Sequence, residues 1–110
     1  MNYYSLNKIA PNTTFKEAVI KGLAPDKGLY FPENITPLNN AIFENIDDLS
    51  YPEIAFEAIK QFVTPDIPEN VLKTIIDETL SFDFPVVQLN DSISTLELFH
   101  GPTMAFKDVG

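Results

Sequence analysis

The chain has 110 residues, 16 acidic and 7 basic, a formal net charge of −9 and no cysteine. That length suits one ordinary domain. The acidity argues against nucleic-acid and anionic-membrane partners, which need clustered Lys and Arg, and the lack of cysteine excludes disulfides, thiolate metal sites and a cysteine nucleophile. The hydrophobic share of 45% and charged share of 21% are ordinary for a globular chain. No apolar run approaches the ~20 residues of a membrane span. The first residues lack the basic and apolar blocks of a signal peptide, so a soluble cytoplasmic protein is the expectation.

Asn2-Tyr3-Tyr4-Ser5-Leu6 reads as a short edge strand. Thr14-Phe15-Lys16-Glu17 reads as a capping box, in which Thr14 caps the Glu17 amide and the Glu17 side chain reaches back. Phe15, Ala18, Val19 and Leu23 keep helical spacing, and Gly22 is placed to end that helix. In Ala24-Pro25-Asp26-Lys27-Gly28 a turn is expected: Pro25 presets φ, Asp26 bonds locally and Gly28 accepts a positive φ. Leu29-Tyr30-Phe31 follows as a short strand stopped by Pro32. Residues 34 to 40 read as loop, and Ile42, Phe43, Ile46 and Leu49 suggest a short helix.

Ser50-Tyr51-Pro52-Glu53 is a second capping box, with Pro52 tolerated in the first turn. Tyr51, Ile54, Ala55, Ala58, Ile59 and Phe62 then make one apolar face. Asp66-Ile67-Pro68-Glu69 reads as a third such device, leading a helix whose face is Val71, Leu72, Ile75, Ile76 and Thr79. The expected fold class is therefore α+β: a small helical amino-terminal domain with about three amphipathic helices and a minor sheet, over residues 1 to 84. The character changes at Phe84-Pro85. Val86-Val87-Gln88-Leu89 is β-rich, Asn90-Asp91-Ser92 turns the chain, and residues 93 to 99 read as a second strand. Residues 100 to 110 read as tight loop and helix start, so residues 85 to 110 are expected to begin a second domain and to stop short of completing it.

Few residues invite chemistry. His100 is the only histidine, so no metal-ligand set is spelled out and none is expected; a strand-end His that orients a loop is the favoured reading. Asp47, Asp48, Glu69, Asp77 and Glu78 fit helix first turns and solvated faces. Residues 97 to 110 differ. An apolar strand runs into Gly101-Pro102, a junction that admits close backbone approach to a ligand, and Thr103 offers a hydroxyl there. Lys107 follows Met104, Ala105 and Phe106 near an expected helix start. The helix dipole and apolar surroundings would both disfavour its charged form, and a neutral amine forms a Schiff base. Local chemistry alone favours the plainer alternative, a surface lysine paired with Asp108.

The run His100-Gly101-Pro102-Thr103-Met104-Ala105-Phe106-Lys107-Asp108-Val109-Gly110 resembles the pyridoxal-phosphate lysine motif of the threonine synthase family. Tyr4-Ser5-Leu6, Thr14-Phe15-Lys16-Glu17-Ala18 and the stretch from Gly22 to Glu33 are similar to that family's amino-terminal domain, and Leu96-Glu97-Leu98-Phe99 leads into the lysine motif as it does there. The resemblance covers nearly the whole chain. It implies a fold-type II pyridoxal-phosphate enzyme that converts O-phospho-L-homoserine and water to L-threonine and phosphate, with a Schiff base on Lys107. It further implies that Phe106 and Thr103 shape the cofactor pocket and that His100, Gly101, Pro102 and Asp108 support the loop. The family also needs a glycine-rich phosphate loop and a partner for the pyridine nitrogen, and neither lies in these residues, so an inactive amino-terminal fragment is expected. The rival reading is a stand-alone acidic helical module that binds a protein partner; neither reading gives an oligomeric state.

Overall fold

A computed structural model describes residues 1–109. Its elements, in chain order, begin with strands β1 (Asn2–Ser5) and β2 (Thr13–Thr14), helix α1 (Phe15–Lys21) and strand β3 (Tyr30–Pro32). Helices α2 (Asn40–Glu44), α3 (Tyr51–Val63) and α4 (Glu69–Thr79) follow, with a 3-10 turn at Ile46–Asp48. Strands β4 (Val86–Asn90) and β5 (Ile93–Leu96) and a 3-10 turn at Phe106–Asp108 complete the described chain. The α+β class and the helices expected from the sequence are present.

The caps explain where the helices begin. Ser50 and Glu53 form the full reciprocal box at the start of α3, and hydrogen bonds from Ser50 hold the Glu53 carboxyl below its ordinary range. At α1 only half of the expected box forms: the Thr14 hydroxyl accepts from the Glu17 amide at 3.2 Å, while the Glu17 carboxylate takes the Thr13 hydroxyl instead of reaching back. At α4 the expected device is absent, because Pro68 is the cap residue and has no capping side chain. The Asp66 carboxylate instead accepts the Lys16 amide at 2.7 Å, serving the start of α1 from 50 residues away.

The strand expected at an edge is central. β1 lies between β2 and β3, antiparallel to both, in the order β2-β1-β3. Its long-range partners were invisible in its own residues. The turn behind it also differs from expectation. The positive φ falls on Lys27 (65°), not on Gly28. Gly28 is required for close approach: a Cβ there would lie 2.0 Å from Ser5 Oγ. The Asp26 carboxylate gathers this corner, accepting from the Ser5 hydroxyl at 2.6 Å and from the amides of Ala10, Gly28 and Ile9 at 2.8, 3.0 and 3.1 Å. The Ser5 hydroxyl, followed by those amides, pulls its pKa from 3.8 to about 2.

The core sits where α3 and α4 meet. Val63, Leu72 and Ile76 are buried there, with Phe15 of α1 and Phe56 and Phe62 of α3 packed around them. Val71, Ile75, Val19 and Leu23, expected on the inner faces, are exposed. The segment between β3 and α2 is tied to this body by paired bonds: the Thr36 amide donates to Gln61 at 2.8 Å and the Gln61 amide group donates to the Thr36 carbonyl at 3.1 Å. Past α4, Phe84 stacks on Tyr51 with ring centroids 4.1 Å apart. From there β4 and β5 leave the body as an antiparallel hairpin with an irregularity between Gln88 and Asn90. Every residue of the two strands is exposed. The molecule is elongated, 54 × 29 × 25 Å, with a radius of gyration of 17.3 Å, against about 13 Å for a compact chain of this size.

Candidate functional site: the lysine loop

The second strand ends earlier than expected, at Leu96 rather than residue 99, although the Glu97 amide still donates to the Pro85 carbonyl at 2.9 Å. The chain then turns on two side-chain devices. His100 Nε2 lies 2.6 Å from Glu97 Oε2, and its ring stacks on Phe99 with centroids 4.6 Å apart. These contacts join the strand exit to the loop. Glu97 was not singled out as its partner from the sequence; the i,i+3 spacing was the available signal.

The second device is Asp108. Its carboxylate accepts the Thr103 amide at 2.9 Å and the Thr103 hydroxyl at 2.6 Å. Those bonds, the hydroxyl foremost, hold the Asp108 carboxyl below its ordinary range. Gly101 is buried beneath it, and a Cβ there would meet the Asp108 Cβ at 2.5 Å. The close approach expected at Gly101 is thus to Asp108, within the loop itself. Pro102 follows, and Met104 adopts φ 56°, its amide donating to the Gly101 carbonyl at 3.0 Å.

Lys107 lies in the single turn Phe106–Asp108, braced by the bonds Asp108 N–H to Ala105 at 3.0 Å and Val109 N–H to Phe106 at 3.1 Å. The helix start expected around it is, among the described residues, only this turn. Gly110, the last residue of the resembling motif, lies outside the described residues. Nor is the lysine wrapped in apolar side chains: it is exposed, as are Met104 and Phe106. The expected pairing of Lys107 with Asp108 is also replaced, since Thr103 holds that carboxylate, and no ion pair of Lys107 is found among the described residues. The loop therefore presents a primary amine on a braced backbone beside a carboxylate already engaged. Such an amine suits the aldehyde end of pyridoxal phosphate. A concavity of 830 Å³ exists elsewhere, at the start of α3 between Leu49, Tyr51, Leu80 and Phe82. It is lined by none of the loop residues, and its position gives it no part in lysine chemistry.

The fold and this loop define a class: an α+β body followed by a hairpin and a lysine-bearing loop. Comparison with known proteins gives the family. The chain belongs to the threonine synthase N terminus family, whose model matches residues 2–80. A threonine synthase of Schizosaccharomyces pombe is 40% identical over 115 residues, covering 99% of this chain and 22% of its own length. The crystal structure of a PLP-bound threonine synthase from Brucella melitensis matches with a TM-score of 0.85 at 35% identity, over 99% of this chain and 25% of that one. The threonine synthase of Escherichia coli matches with a TM-score of 0.84 at 30% identity, over 98% and 25%. The chain thus spans about a quarter of the length of these relatives. The comparisons favour the enzyme reading over a stand-alone acidic module.

Proposed function

We propose that the whole protein is a pyridoxal-phosphate-dependent lyase of fold type II that converts O-phospho-L-homoserine and water to L-threonine and phosphate in the cytoplasm. The observation that carries this reading is an exposed lysine with no ion pair among the described residues, set in a braced loop, in a chain whose relatives are threonine synthases. Lys107 would hold the cofactor through Nζ, with Phe106 and Thr103 shaping its pocket and His100, Gly101, Pro102 and Asp108 supporting the loop. When bound, the cofactor supplies an electron sink for charge developing on the substrate's carbons. The reaction expels the γ-phosphate and adds water at Cβ, which requires protons to move between neighbouring carbons. Once substrate occupies the cofactor, Lys107 Nζ is the amine of this loop free to carry them.

A division at residues 84 and 85 is part of the same reading. The Phe84–Tyr51 stack on the body and the exposed hairpin that starts at Val86 support it. The present chain offers the amine without a glycine-rich phosphate cradle, and is read as inactive by itself. The test uses the full-length protein: Lys107→Ala is expected to cut phosphate release from O-phospho-L-homoserine by about a thousandfold or more. The melting profile should be unchanged. Ordinary turnover in that variant would remove Lys107 from the mechanism.

A further inference from the structure

One side chain closes the loop that carries Lys107. Thr103 and Asp108 are five residues apart, and the Asp108 carboxylate spans the gap with both oxygens, one on the Thr103 amide and one on its hydroxyl. Gly101 makes room for this crossing, because any Cβ there would strike the Asp108 side chain. Inside the ring Met104 holds φ 56°, a conformation that side chains disfavour and that persists where surrounding contacts over-determine it. Among the described residues, the side-chain hydrogen bonds closing the ring are those from Thr103 to Asp108. The residue immediately before this clasp is Lys107.

We propose that Asp108 is the positioning residue for Lys107: its clasp on Thr103 fixes the backbone that bears the amine and keeps the neighbouring carboxylate from pairing with it. The inference rests on the assignment of Lys107 as the cofactor-holding residue. Loss of the clasp has two consequences. Met104 is released from its constrained conformation, and a freed Asp108 carboxylate competes for the Lys107 ammonium. Removing the carboxylate produces only the first; removing the Thr103 hydroxyl leaves the amide as the one donor and frees one carboxylate oxygen, which produces both in part. A loosely held reactive group loses rate steeply with small displacement, because productive geometry tolerates little misplacement.

The full-length protein tests this through Asp108→Ala, Asp108→Asn, Thr103→Val, Thr103→Ser and the Thr103→Val/Asp108→Ala double variant. Three quantities are read: the rate of pyridoxal phosphate release, the cofactor trapped on Lys107 by borohydride and located by mass spectrometry, and kcat apart from KM. Circular dichroism melts control for folding. Asp108→Ala and Thr103→Val are each expected to speed release and lower kcat by about tenfold or more, with KM for O-phospho-L-homoserine moving less. Asp108→Asn, which keeps the size and one acceptor oxygen, should fall between Asp108→Ala and the unmodified protein. Thr103→Ser, which keeps both donors, should recover most of what Thr103→Val loses. The double variant should cost no more than the worse single one, the signature of one shared interaction. Asp108→Ala with unmodified release and kcat would overturn the proposal, as would Thr103→Ser as impaired as Thr103→Val, or fully multiplicative losses in the double variant. If Asp108→Ala does not fold, Asp108→Asn and Thr103→Val decide by the same criteria. Cofactor trapped on a different lysine of the unmodified protein would instead overturn the Lys107 assignment beneath it.

Discussion

Between Asn2 and Leu80 the chain closes on itself. Val63, Leu72 and Ile76 are buried under aromatic neighbours, and the Asp26 and Asp66 carboxylates bind amides far away in sequence. Between Val86 and Leu96 the opposite holds. The hairpin pairs antiparallel with one irregularity between Gln88 and Asn90, and no residue of either strand is buried. The body is stabilised by burial of apolar surface; the hairpin is held by its backbone ladder and turn, and an isolated two-stranded hairpin is marginal in water. The TM-score of 0.85 over 99% of this chain still includes the hairpin and loop. Their arrangement is therefore shared with a much longer structure even though they bury nothing here. The comparison teaches that the part bearing Lys107 has local order without a core of its own.

Three substitutions would break or sharpen that contrast. The largest effect on folding is expected from Ile76→Ala, which empties part of the core between α3 and α4. It should lower the stability of the body by about 2–5 kcal/mol, a large share of the total for a domain of this size. Urea unfolding of the chain measures it, and a midpoint within error of the unmodified chain would mean that the core is not where burial places it.

The next effect is one of pH. Asp26 has a folded pKa of about 2 against an ordinary 3.8. A depressed carboxylate contributes stability above its unfolded value and loses that contribution as pH falls through the folded one. The body should therefore weaken as pH drops from 3.8 toward 2, and Asp26→Asn should lower stability near neutral pH and flatten that decline. Urea midpoints taken across this pH range test it; an unaltered decline in the Asn variant would shift the responsibility to other carboxylates. The smallest effect is expected in the hairpin. Leu89→Ala, at a position 62% exposed, should change the stability of this chain by less than about 0.5 kcal/mol. A loss like that of Ile76→Ala would show that the hairpin packs on the body after all.

Much of the body was legible because its signals are short. The Ser50 box, the Thr14 cap and the Gly22 stop all act within three or four residues, and the structure contains each of them. The hairpin strands followed from β-rich runs around a turn. The loop residues were named from their motif, and in the structure Gly101 and Thr103 meet Asp108, the neighbour of Lys107, while His100 contacts Glu97 at the strand exit. The partners were harder to read. Asp108 was weighed against Lys107 as an ion pair, and its bond to Thr103 emerges only when the loop closes. Gly28 and Gly101 stood out as glycines, but each is needed because a specific side chain, Ser5 or Asp108, crosses where its Cβ would be.

The sequence by itself determined the class of fold, the caps that start α1 and α3, the hairpin and the lysine motif, because these depend on neighbours a few residues apart. Only the tertiary structure decided that β1 is central, that Asp66 caps α1 across 50 residues, and which apolar positions are covered. A helical stripe specifies which side of a helix is apolar. What covers that side depends on where the chain returns, and Val19, Leu23, Val71 and Ile75 remain exposed among the described residues.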